Sequence, residues 1–243
     1  MDRMGNLRPE AAGIAALIAG WLAGALPASA QAAGQATICP GPWDRDAGIR
    51  AVYADGSRND FVADPQGMIR LTEPEAAAEG RMGFVALSRL GLYDVEIAAL
   101  GAGGDADPDR RLVTVYSEPA ETLPEPVEGE SWTGAMTTVW PDGSNETATA
   151  VYVFGRLGSA TFGSCRYDVI PVRASFIPWP ETAAPGPASA LELMARDPAS
   201  TDWVAQEFLY FPTLALAVLT VTQEAGVARL KRRELASLER LAP

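Results

Sequence analysis

The 243-residue chain contains no histidine. That absence removes Ser-His-Asp and Cys-His catalysis, imidazole proton transfer and nearly every zinc or copper site. Cysteine is almost as scarce, with only Cys39 and Cys165, and Lys231 is the single lysine. A Ser-Lys catalytic pair would therefore depend on one residue within the basic stretch RLKRREL. Neither a phosphate-binding loop nor a dinucleotide fingerprint occurs. No apolar run reaches the roughly 20 residues that a membrane-spanning helix requires. Positive charge is in short supply, and the net charge of −12 opposes both nucleic acid and anionic membrane surfaces. The catalytic routes left open are paired carboxylates and a hard metal held by oxygens.

What the chain does have begins with an export pattern. A basic start (MDRMGNLRPEAA), a short apolar middle (GIAALIAGWLAGAL) and an Ala28-Ser29-Ala30 ending are the parts of a secretory signal peptide, expected over residues 1–30. A retained anchor is the alternative. The mature chain is then expected to be periplasmic or secreted, and its abundant Arg, Ala, Gly and Pro point to a GC-rich bacterial genome. An even pair of cysteines in an oxidising compartment predicts a Cys39–Cys165 disulfide. Two buried thiols that never meet are the other possibility. The acidity of the chain fits an exported protein kept soluble by its charge.

Beyond residue 30 the apolar pattern changes with period two. GIRAVYADGSRNDFVAD reads as strand, turn, strand. In FVALSRLGLYDVEIAAL, Tyr93, Val95 and Ile97 fall on one face, and Asp94 and Glu96 on the other. GAGGDADPDR reads as a loop before the strand RLVTVYS. The Pro/Glu-rich EPAETLPEPVEGE is too polar for a core element and is expected to be a surface connection. Strands resume in GAMTTVWPDGSNETATAVYVFG and SATFGSCRYDVIPVRASF. ALELMARD is the best helix candidate, with a second helical turn expected around STDWVAQEF. Residues 213–233 fit either a helix or a hairpin, and the β-branched TVTQ followed by EAG favours the hairpin.

Two words recur in the same order. An aromatic residue, one further residue and Asp-Gly-Ser occur at Tyr53–Ser57 and Trp140–Ser144; Tyr-Asp-Val follows at Tyr93 and again at Tyr167. The recurrence suggests two related halves, 39–117 and 131–180, in a single β-rich domain over 31–243, completed by a helix or hairpin segment over 187–243. Pro141-Asp142-Gly143 suits a tight turn, because proline presets one backbone angle and glycine supplies a positive φ. The two Asp-Gly-Ser words are thus expected to be hairpin turns rather than active-site carboxylates. Asp105, Asp107 and Asp109 resemble the opening of a calcium loop, but Arg110 stands where glycine is needed and Tyr116 where glutamate is needed. A solvated acidic loop is expected there.

These features predict an all-β, mainly antiparallel fold of nine to twelve strands, a sandwich or partly open barrel with one or two short covering helices. The curved half-barrel carriers of the bacterial periplasm are a fold-level analogy only, since no motif identifies a family. The expected function is a non-catalytic exported binding or accessory protein that holds an apolar ligand or docks on an envelope partner. A carbohydrate-binding or carboxylate-dependent glycan-active protein is the alternative, and a structural assembly protein a third. The candidate contact residues are Tyr53, Trp132, Trp140 and Tyr152, large aromatics near turns or within strands. No catalytic residue, metal or cofactor is assigned. The partner is expected to be an envelope protein, a lipid or a glycan, with no nucleic acid and no transmembrane segment in the mature chain.

Overall fold

The computed structural model describes residues 38–73, 83–101, 104–179, 204–223 and 230–241. The expected signal peptide and the helix candidate ALELMARD lie outside these residues. The first six strands are β1 (Ile49–Tyr53), β2 (Arg58–Ala63), β3 (Met68–Thr72), β4 (Phe84–Arg89), β5 (Tyr93–Leu100) and β6 (Ala106–Tyr116). Four follow the Pro/Glu-rich connection: β7 (Ser131–Val139), β8 (Asn145–Phe154), β9 (Gly158–Phe162) and β10 (Cys165–Pro178). The last four are β11 (Val204–Phe211), β12 (Leu216–Gln223), β13 (Lys231–Arg232) and β14 (Leu235–Arg240). Among the described residues there is no α-helix. The all-β, antiparallel expectation holds, in an open sheet rather than a closed barrel.

Three local readings need correction. The segment expected to start a helical turn at STDWVAQEF is strand β11 from Val204 onward. The acidic stretch is already strand from Ala106, with Asp107 accepting a 3.0 Å hydrogen bond from the Asp109 amide. Among the described residues the strands number fourteen, more than expected, partly because the C-terminal run divides into three: β12 and β13 form the favoured hairpin, and β14 goes elsewhere.

The sheet order is β13-β12-β11-β10-β8-β7-β6-β5-β4-β3-β2-β1-β14, with β9 paired to β10 off this path. Nearly every neighbour in the sheet is a neighbour in the chain, as in an up-and-down meander. The two ends of the order are joined by consecutive residues. β13 pairs with β12, and three positions past Arg232 the same chain begins to pair with β1 as β14. Between them the Arg233 amide donates to the Thr220 carbonyl at 2.8 Å, and the Glu234 carbonyl accepts from the Ala54 amide at 2.8 Å. The sheet is therefore curled until its edges are linked by one crossing segment, without a ladder between β13 and β14.

The concave face buries two adjoining sets of side chains. One joins β1 to β3, β14, the start of β10 and β12, through Tyr53, Phe61, Ile69, Tyr167, Leu216 and Leu238. The other joins Tyr93, Tyr152, Phe154, Phe208 and Tyr210 from β5, β8 and β11. Each large apolar side chain so buried contributes on the order of 1.5–3 kcal/mol. The tip of the β4–β5 hairpin reaches across the interior to β12, where the Leu90 carbonyl accepts from the Ala217 amide at 2.7 Å. Gly91 sits there at φ +68, and an added Cβ would lie 2.6 Å from the Ala217 carbonyl oxygen, so only glycine permits this approach. The Pro/Glu-rich connection is surface chain anchored at Leu123 and Pro124: Leu123 is fully buried, its carbonyl accepts from Arg89 Nε at 2.7 Å, and the Pro124 carbonyl accepts from the Tyr93 hydroxyl at 3.0 Å.

Both Asp-Gly-Ser words are turns of the same geometry. Gly56 donates to Tyr53 and Gly143 to Trp140, both at 2.9 Å, with the glycines at φ +83 and +82. Asp55 and Asp142 each accept from the backbone amide of the following serine at 2.9 Å, which uses the carboxylates as turn braces. The Tyr-Asp-Val words do not match in this way. Asp168 is exposed in regular pairing with Ser159, whereas the register of β5 slips so that Val95 has no partner on β4.

Cys39 and Cys165 form a disulfide with Cα atoms 5.6 Å apart, closing a sequence separation of 126 residues and fastening the lead-in chain to the buried start of β10. Removing both thiols as Cys39→Ser with Cys165→Ser should lower stability by roughly 4–5 kcal/mol on the loop-entropy model. Thermal unfolding of the variant against the parent measures this. Alkylation of denatured, unreduced protein should add no label; two labels per chain would contradict the bridge.

Candidate functional site

The bulge in β5 is the local event that builds the site. Leu87 pairs with Glu96, and the next residue, Ser88, pairs with Asp94, leaving Val95 as the extra residue. A bulge breaks the strict in-out alternation of a strand and re-aims the side chains beside it. Asp94 and Ile97, three apart, therefore both line the two cavities within the curl, while Val95 packs against the Tyr93 and Tyr152 cluster and with Glu96 lines a separate hollow. The expected grouping of Asp94 with Glu96 on the wet face is corrected by this one inserted residue.

Two cavities adjoin within the curl. The first, about 230 Å³, is lined by Phe61, Leu71, Phe84, Phe208 and Leu219 and by a polar group at one end. The second, about 200 Å³, is walled by Tyr116, Met136, Trp140, Tyr152 and Phe176. Asp94, Ile97 and Gln206 belong to both linings, so the carboxylate stands where the two meet. Among the described residues no cation pairs with Asp94 and no donor hydrogen-bonds its carboxylate. Burial alone raises its pKa from 3.8 to about 7. Asp94 is half-buried at the junction of the cavities it lines.

The hydroxyls beside it respond to the same surroundings. Burial pushes Tyr116 above its ordinary range, and the Asp94 charge adds to that shift. Tyr152 is likewise raised by burial, with Tyr116 and Asp94 contributing, and its hydroxyl donates to the Leu92 carbonyl at 3.4 Å. The rings of Tyr93, Trp132 and Tyr152 form a continuous aromatic group, with centroids 4.6 Å apart for Tyr93–Tyr152 and 5.8 Å for Trp132–Tyr152.

The polar end of the first cavity is already satisfied. Arg233 lies 3.8 Å over the Tyr53 ring, donates to Ser57 Oγ at 2.9 Å, and has Nη2 3.4 Å from Glu73 Oε1. Glu73, Asn59 and Ser57 are buried, so this is a paired internal network rather than a free charge. Burial pushes the Tyr53 hydroxyl up to about 12, Arg233 opposing, and it donates to the Leu219 carbonyl at 3.1 Å.

The four aromatics singled out from the sequence are thus separated. Tyr53 is buried and supports Arg233 at one end; Tyr152 is buried in the wall of the second cavity; Trp132 packs against Tyr152. Trp140, 42% exposed, is at the second cavity's mouth. Asp94, Gln206 and Arg233 were not foreseen. Asp94 stood in the repeated Tyr-Asp-Val word, but the bulge that turns it inward leaves no mark in the alternation. Among the described residues, no group of three or more His, Cys, Asp or Glu is placed to hold a metal ion.

Asp94 carries a stability cost whose sign follows from its raised pKa. Below about pH 4 the carboxyl is protonated in both folded and unfolded chains. Between there and about 7 the unfolded carboxyl ionises while the folded one keeps its proton, so stability falls as pH rises through this window. Each unit of displacement is worth about 1.4 kcal/mol, which makes the loss a few kcal/mol above neutrality. Asp94→Asn should therefore melt close to the parent at pH 4.5 and several degrees above it at pH 8. A melting difference independent of pH would contradict the assignment.

No family model matches the chain, and no curated protein matches it. One solved structure with a similar trace is the crystal structure of the hypothetical lipoprotein YmcC from Escherichia coli (K12), at 10% identity and a TM-score of 0.40, covering 81% of this chain and 84% of that one. The Cys39–Cys165 disulfide hints at an extracytoplasmic setting, because such bridges persist in oxidising compartments.

Proposed function

We propose that the protein is a non-catalytic, exported binding protein, periplasmic or secreted, that holds a small, largely apolar ligand inside the curl of its sheet. The observation that carries this reading is the pair of adjoining cavities sharing Asp94, Ile97 and Gln206. Binding sites for small molecules are concave, mostly apolar and furnished with a few convergent polar groups. The interior matches on each count, with phenylalanine, leucine and aromatic walls and a carboxylate with an amide at the waist. The paired state of Arg233 and Glu73 leaves that network as scaffolding for one end. The half-exposed Trp140 at the mouth suits a residue that meets a ligand on entry.

A second reading has its own observation. Trp140 and Trp179 are both exposed at the end of the sheet where β7, β8 and β10 meet, and Trp179 Nε1 donates to Thr149 Oγ1 at 2.9 Å. Exposed indoles in such a place also suit stacking on a sugar ring.

The environment-sensitive probe N-phenyl-1-naphthylamine tests the first reading. The parent should enhance its fluorescence saturably, at about one probe per chain. Ala86→Phe, which fills the first cavity, should weaken that binding at least about tenfold, equivalent to about 1.4 kcal/mol, while melting near the parent temperature. Absence of saturable binding, or unchanged affinity in the filled variant, would contradict it.

A further inference from the structure

We propose that the second cavity is an organic-ammonium site, in which an alkylammonium head sits among the rings of Tyr116, Trp140, Tyr152 and Phe176 with its charge against the Asp94 carboxylate. The inference rests on the ligand-binding reading above and adds which end of the ligand the waist receives. Aromatic faces carry negative quadrupole density and attract cations, most strongly where water is excluded. Among the described residues, four aromatic side chains and one carboxylate line this cavity, and no basic side chain does. An anion would meet Asp94 with like charge and find no donor of opposite sign. A hard metal would need several oxygen ligands, and one carboxylate is too few. An ammonium supplies the counter-charge that Asp94 lacks among the described residues, and its alkyl chain extends past Ile97 and Gln206 into the apolar first cavity.

The charges around Asp94 agree with this assignment. On β6 and β8 it faces the Tyr116 and Tyr152 hydroxyls, both kept neutral by burial. From β7, β10 and β11 the lining is Thr138, Phe176 and Gln206, none of which titrates. The remaining ionisable groups line the first cavity: Arg233 is engaged by Glu73, and Lys231 is exposed. The net charge of −12 raises the local concentration of cations at the protein. Since burial keeps the Asp94 proton to about pH 7, a bound ammonium displaces it, and affinity should fall about tenfold from pH 8 to pH 6.

Calorimetric titration with octyltrimethylammonium, 1-octanol and octyl sulfate, each below its micelle concentration, tests this on the full chain. At pH 8 the ammonium should bind at least about tenfold tighter than the alcohol and the sulfate. In Asp94→Asn, checked for folding by circular dichroism, that preference should collapse to a ratio near one and lose its pH dependence. Equal binding of ammonium and alcohol by the parent, or a preference retained in Asp94→Asn, would overturn the ammonium site and leave the apolar-cavity reading standing. Failure of all three compounds to bind would overturn the cavity reading and the ammonium site together.

Discussion

A single antiparallel sheet, with no α-helix among the described residues, has to bury its own face. Every other feature of this molecule follows from how that is done. An extended meander of fourteen strands would leave one whole face of Tyr, Phe and Leu in water, so the sheet curls until β1 and β12 meet across the interior. The segment 231–240 makes the curl permanent by hydrogen-bonding to β12 with its first residues and to β1 with its last. The Tyr53 hydroxyl on the Leu219 carbonyl, the Leu90 carbonyl on the Ala217 amide and the Cys39–Cys165 bridge are further ties of the same kind. Together they replace the second layer that a helix would provide in other β-rich folds.

A curled sheet closes only where its side chains are large enough to meet. They leave one cavity between β2–β5 and β11–β12 and a second among β5–β8, β10 and β11, and the bulge at Val95 puts a carboxylate at their junction. A half-buried, desolvated carboxylate with no partner among the described residues works against folding at neutral pH. Natural proteins tolerate such groups chiefly where they serve a site. The contrast with Arg233 is instructive. That guanidinium is also internal, but it is matched by Glu73, Asn59, Ser57 and the Tyr53 ring, so it braces the fold and has no demand left to meet.

Much of the architecture was legible in the sequence because it rests on short-range rules. Period-two alternation marks the strands, and Asp-Gly-Ser after an aromatic marks two turns through the side-chain brace and the positive-φ glycine. An even pair of cysteines behind an export pattern marks the bridge. The site was less legible because it depends on a register slip and on the curl. Nothing in Tyr93–Ile97 announces that Val95 will be unpaired, so Asp94 reads as a solvent-facing residue. Arg233, within a run of basic residues, reads as surface until the chain is seen crossing from β12 to β1 at that point. Tyr53 and Tyr152 were legible as important aromatics, but whether an aromatic fills a core or walls a cavity depends on strands far away in the chain.

The central claim is that the β5 bulge turns Asp94 into a desolvated interior. Its most direct measure is the side-chain carboxyl ¹³C resonance of Asp94 in the ligand-free protein, followed as a function of pH and assigned by comparison with Asp94→Asn. Its titration midpoint should be about 7. A midpoint at the ordinary carboxylate value of about 4 would show Asp94 in contact with bulk water and would contradict it.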